Sequence, residues 1–171
     1  MKSLILILVF FSLIACSGIG RKVSSDSPNN EKINEGDNLL VGLDPGKVKV
    51  CLSLASMARS AVFNKEKGLS KAEMLAPLPT KAVLNSYPEN RSIQKMMGLG
   101  MHEILHQVFD YEVLNSEIYS AYTAESCLRK IKGVSVPENF SAVHKELQSC
   151  NVQESEKKKI LCAMAVAGSK H

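Results

Sequence analysis

The sequence predicts an all-α fold: a small, disulfide-stapled helical bundle of about five to six helices behind a signal peptide and a flexible tether. Three observations carry this. Aromatic residues are 5% of the 171 and tryptophan is absent, so a core must be built from Leu, Ile, Val, Met and Ala, a set that favours helices over sheets. From residue 43 onward, apolar residues recur at helical spacing between recognisable start and stop residues, with no hairpin pattern. Four cysteines downstream of an export-like N-terminus can supply two cross-links.

The chain opens with a positive Lys2 and an apolar run from Leu4 to Ile14 broken only by Ser12. At about 11 residues the run matches a signal-peptide core and is too short for a bilayer, which needs roughly 20. Leu13-Ile14-Ala15-Cys16 follows, and in these residues the chain resembles a bacterial lipoprotein precursor at its lipobox. The resemblance covers the first 16 or so residues. It implies removal of residues 1–15, a diacylglyceryl thioether on Cys16 and acylation of the new amine. Several acyl chains on one residue anchor stably, since each buried CH₂ contributes about 0.8 kcal/mol. Ser17, where the family's sorting rule reads an aspartate as an inner-membrane signal, points to the outer membrane and a periplasm-facing domain. Residues 16–42 read as the lipidated N-terminus and tether: Ser24-Ser25-Asp26-Ser27-Pro28-Asn29-Asn30 is too polar to offset the entropy of ordering.

The helical domain is expected over residues 43–171. Asp44 before Pro45 is an N-cap with proline at the first helical position, and Val48, Cys51, Leu52, Ala55, Met57, Ala58 and Val62 repeat helically before a stop at Gly68. Ser70-Lys71-Ala72-Glu73 has the form of a capping box and opens a short helix that ends before Pro77. Residues 77–90, with Pro77, Pro79 and Pro88, form a connector. A helix from Asn90 to Asp110 is expected to bury Ile93, Met97, Met101, Ile104, Leu105 and Val108. The next starts at Asn115 or Ser116 and stops at Gly133. Another opens at Ser135 and Pro137 and carries Phe140, Val143 and Leu147. The last spans Glu154 to Ala167, with Ile160, Leu161, Met164 and Val166 on its apolar side.

Export places Cys51, Cys127, Cys150 and Cys162 in an oxidising compartment. Three pairings are open. Cys51–Cys127 with Cys150–Cys162 is preferred, because the first closes a long loop across the core and the second staples the last two helices. No C-x-x-C pair suggests a structural zinc site. The span from Cys51 to Cys127, with Lys67-Gly68 and Ala121-Tyr122 inside it, is also similar to small exported α-helical bacterial proteins of unknown role. That resemblance implies no activity, and the chain departs from it by two further cysteines.

One motif carries chemistry. His102-Glu103-Ile104-Leu105-His106 has the H-E-x-x-H form, in which two histidines one turn apart grip zinc and the glutamate polarises a bound water. The segment from His102 to Tyr111 resembles the active-site helix of thermolysin-type zinc peptidases. The resemblance implies His102 and His106 as ligands, Glu103 as general base, and Glu125 or Glu117 as third ligand. The family's Asn-Glu pair is not reproduced around Glu125. At 100° per residue, His102 and His106 fall roughly 110–150° from the centre of the apolar stripe and Glu103 points away from it. Lys95 projects along the same strip, and no strands are expected to supply a substrate-binding sheet. Two surface histidines on an amphipathic helix are therefore the favoured reading, with a zinc hydrolase as the alternative.

Elsewhere there is no G-x-S-x-G nucleophile and no glycine-rich phosphate loop. His144, between charged neighbours, reads as a surface histidine. Gly98 and Gly100 beside the Met96, Met97 and Met101 cluster could admit a close approach by another surface. A net charge of +4, with Glu154 and Glu156 beside Lys157-Lys158-Lys159, excludes the one-sided basic face of a nucleic-acid binder. The expected function is a lipid-anchored binding or interaction module, an envelope adaptor, inhibitor or immunity-type protein, whose partners are the bilayer through acylated Cys16 and another envelope protein. No cofactor is expected outside the zinc alternative.

Overall fold

The computed structural model describes residues 39–169; the signal segment, Cys16 and the tether as far as residue 38 lie outside the described residues. The described chain is all-helical. Seven helices follow one another: α1 (Pro45–Glu66), α2 (Lys71–Leu75), α3 (Lys81–Asn85), α4 (Ser92–Phe109), α5 (Ser116–Lys132), α6 (Phe140–Asn151) and α7 (Glu156–Ala167), with a 3₁₀ turn at Glu89–Arg91 before α4.

The start and stop residues act as their chemistry dictates. The Asp44 carboxylate accepts from the Lys47 amide at 2.9 Å, and Pro45 occupies the first turn, where no amide hydrogen is needed. Ser70 and Glu73 form a complete capping box on α2. Asn115 caps α5, which ends at Gly133 in the left-handed conformation (φ 73°), a geometry glycine adopts without steric cost. The start of α6 differs from expectation: Asn139, whose side chain accepts from the Ser141 and Ala142 amides, is the cap, and Ser135 and Pro137 lie in the preceding loop. The connector at 77–90 also holds more structure than its prolines suggest. Thr80 caps α3, which anchors itself through the fully buried Leu84.

α1 is the central element. It buries Val50, Leu54, Ala58, Ala61 and Val62 and packs against both α4 and α5; α7 lies against α5, and α6 against α7. Gly98 and Gly100 serve this internal packing. A β-carbon at Gly98 would overlap Leu84 of α3, and one at Gly100 would overlap Leu54 of α1. Disulfides join Cys51 of α1 to Cys127 of α5 and Cys150 of α6 to Cys162 of α7.

Several expected core positions are exposed. Ile93 in the first turn of α4 is 38% exposed, and Leu52, Leu161 and Met164 face outward on α1 and α7. His144 goes the other way and is buried, 6% exposed, with Nε2 donating to the Glu112 carbonyl at 2.9 Å and its ring against Tyr111 and Phe140.

Candidate functional site

The residues of the H-E-x-x-H motif lie on α4 as the spacing requires, and each is engaged by a separate partner. His102 Nε2 meets the Pro79 carbonyl at 2.9 Å. His106 Nδ1 meets Asp110 Oδ2 at 2.5 Å, and the same carboxylate oxygen accepts from Lys71 at 2.6 Å. The Lys71 hydrogen bond is the largest cause holding the Asp110 carboxyl below the usual aspartate range, and His106 adds to it. Glu103 accepts from Lys130 of α5 at 2.7 and 2.8 Å and from Gln107 at 3.2 Å.

Glu125, the third member of the zinc alternative, is not brought to the histidines. It is buried, paired with Arg129 at 2.8 Å, on the side of α5 that faces α1 and α7. Glu117 pairs with Arg59 on that same side. Among the described residues no group of three or more His, Cys, Asp or Glu side chains is placed to hold a metal ion. The alternative ligand set of His102, His106 and Glu125 is therefore not brought together among the described residues. One turn of helix fixes the two histidines, but a third ligand depends on how α5 is rotated, and α5 turns Glu125 away.

The α4–α5 arrangement produces a different feature. Glu103 pairs with Lys130, and the Tyr119 hydroxyl donates to the Gln107 carbonyl at 3.3 Å, so the two helices run antiparallel. Both pack on α1, yet they scarcely pack on each other. The gap between them is a cavity of about 380 Å³, within the range of roughly 300–1,000 Å³ common for small-ligand sites. Leu54 and Cys127 form its floor. Met96, Leu99, Ile104 and Ile131 supply apolar wall, and the Glu103–Lys130 pair stands beside it.

One end of this cavity is polar. Thr123 and Ser126 are 8% and 5% exposed, and both line it. Thr123 Oγ1 has no hydrogen-bond partner, and Ser126 Oγ has only the Tyr122 phenol beside it. Buried hydroxyls of this kind are uncommon, since an unmet polar group costs about 1–3 kcal/mol. Burial pushes the Tyr122 phenol above its ordinary pKa, so it is neutral and available as a donor. Gln107, also buried, completes this end. The sequence carries a faint trace of the site: Thr123, Ser126 and Lys130 recur at three- and four-residue spacing, a polar stripe beside the buried Tyr122.

What the fold and site define, over the described residues, is a small, disulfide-clasped all-α domain with an amphipathic cavity at the α4–α5 gap. Comparison of the chain with protein-family profiles, with curated proteins and with solved structures finds no match.

Proposed function

We propose that the chain acts by binding, as an exported helical module held at a membrane through acylated Cys16. The observation that carries binding is the α4–α5 cavity, in which buried hydroxyls without partners stand among apolar walls. The lipobox and the cysteine usage support an envelope location, with the outer membrane and a periplasm-facing domain following from Ser17. No described helix is long and apolar enough to cross a membrane, consistent with attachment by lipid. The module serves another envelope protein as an adaptor, inhibitor or immunity-type partner, with the cavity as its ligand-responsive element. No observation on the described residues favours the zinc hydrolase.

The anchor and the cavity are tested separately. A Cys16→Ala variant is expected to incorporate no labelled palmitate and to leave the membrane fraction; a variant that fractionates like the parent overturns the anchor. For the cavity, hydrogen–deuterium exchange of the full chain in vesicles is compared with and without an organic extract of bacterial envelopes. Protection concentrated in α4 and α5 is expected, and unchanged exchange there overturns the binding reading.

A further inference from the structure

We infer that the α4–α5 cavity takes a single acyl chain, with its carbonyl head at Thr123, Ser126 and Lys130 and its tail along α4. This rests on the reading of the cavity as a binding site and specifies its ligand.

Shape gives the first argument. The cavity is lined from Gln107 back to Ser92, a span of about 22 Å at 1.5 Å per helical residue. On the facing helix the lining runs from Tyr122 to Ile131, so the cavity is an elongated groove between two helices, a form that an extended chain follows along its length. The distribution of polarity gives the second. Met96, Leu99, Ile104 and Ile131 make the wall between hydrocarbon-like, Ser92 and Lys95 close it at one end, and the buried hydroxyls of Thr123 and Ser126 stand toward the other. Those hydroxyls can each donate a proton to an oxygen acceptor, which an acyl carbonyl supplies and an alkane does not. Lys130, one turn beyond Ser126 on α5, adds a cation to the same lining. Its present partner, Glu103, is 46% exposed and can turn into water when a ligand oxygen takes the lysine. No covalent step is involved.

The same head chemistry occurs in a free fatty acid and in an ester-linked lipid chain. The full chain in phosphatidylcholine vesicles is therefore photolabelled with a diazirine-bearing dodecanoate, in competition with dodecanoate, methyl dodecanoate or dodecane. Labelling is expected in the peptides of α4 and α5. One or both carbonyl compounds should compete about tenfold better than dodecane, and the better one names the source. A Thr123→Val/Ser126→Ala variant, nearly isosteric, should lose that preference while melting no lower than the parent, because it removes unmet buried hydroxyls. Lys130→Gln should weaken dodecanoate more than methyl dodecanoate. Equal competition by dodecane, a preference that survives the double variant, or labelling elsewhere overturns the assignment. Protection of α4 and α5 by envelope extract alongside any of those results would leave the cavity a binding site for another ligand class.

Discussion

Gly98 lies where α4 crosses α3, and a β-carbon there would run into both methyls and the γ-carbon of Leu84, itself 1% exposed. Alanine is the better helix former by about 1 kcal/mol, but Leu84 has no space to retreat, and overpacking of this kind costs about 1–3 kcal/mol. Gly98→Ala is therefore expected to lower the urea midpoint. Combining it with Leu84→Ala should cost less than the sum of the two changes, a coupling that a double-mutant cycle measures. Additive effects would place the strain elsewhere. His144 teaches the complementary lesson. Its sequence neighbours Lys145 and Glu146 suggest a surface, but helical geometry sets it on the same side as Phe140, Val143 and Leu147, so the periodicity outweighs the company it keeps in the chain.

At the scale of elements, the end of α4 is held by cations from its neighbours and by the carboxylate of its own C-cap, Asp110. Lys65 of α1 donates to the Val108 and Tyr111 carbonyls at 2.8 and 2.7 Å, meeting acceptors that a helix C-terminus leaves open. Asp110 joins His106 to Lys71 of α2. Its folded pKa lies below the unfolded value, so the stability it adds is present above about pH 4 and is lost as the pH falls through the depressed folded value. Glu73, lowered by its Ser70 hydrogen bonds, acts with the same sign. Denaturant midpoints followed from neutral to acid pH should fall on the acid side, and Asp110→Asn should flatten that fall. A variant whose acid limb parallels the parent would show that the pair contributes nothing. Of the elements, α1, α2, α4, α5 and α7 are readable from caps and periodicity. α3 and the shifted start of α6 are not, because five residues carry too little pattern and because Asn139 caps as well as the serine before Pro137 would.

Across the whole molecule, the two disulfides do unequal work. Cys51–Cys127 spans 76 residues and Cys150–Cys162 only 12. Restriction of the unfolded chain scales with loop length, giving about 4.5 kcal/mol for the first and about 3 kcal/mol for the second. Cys51→Ala/Cys127→Ala should thus lower the melting temperature more than Cys150→Ala/Cys162→Ala, which calorimetry can rank; the reverse order would mean that native packing, and not loop closure, sets the contribution. The first bridge also links α1 to α5 at the cavity floor, so its loss should loosen the α4–α5 gap. By itself the amino-acid order determined the helical class, most helix ends and the use of cysteines as cross-links, because caps, periodicity and composition act over a few neighbouring residues. Tertiary structure alone decided which of three cysteine pairings forms, that Glu125 turns from His102 and His106, and that Thr123 and Ser126 face a cavity. Each of these depends on the rotation of α5 about its axis and its distance from α4, quantities set by how both helices seat on α1 and by no local pattern in the chain.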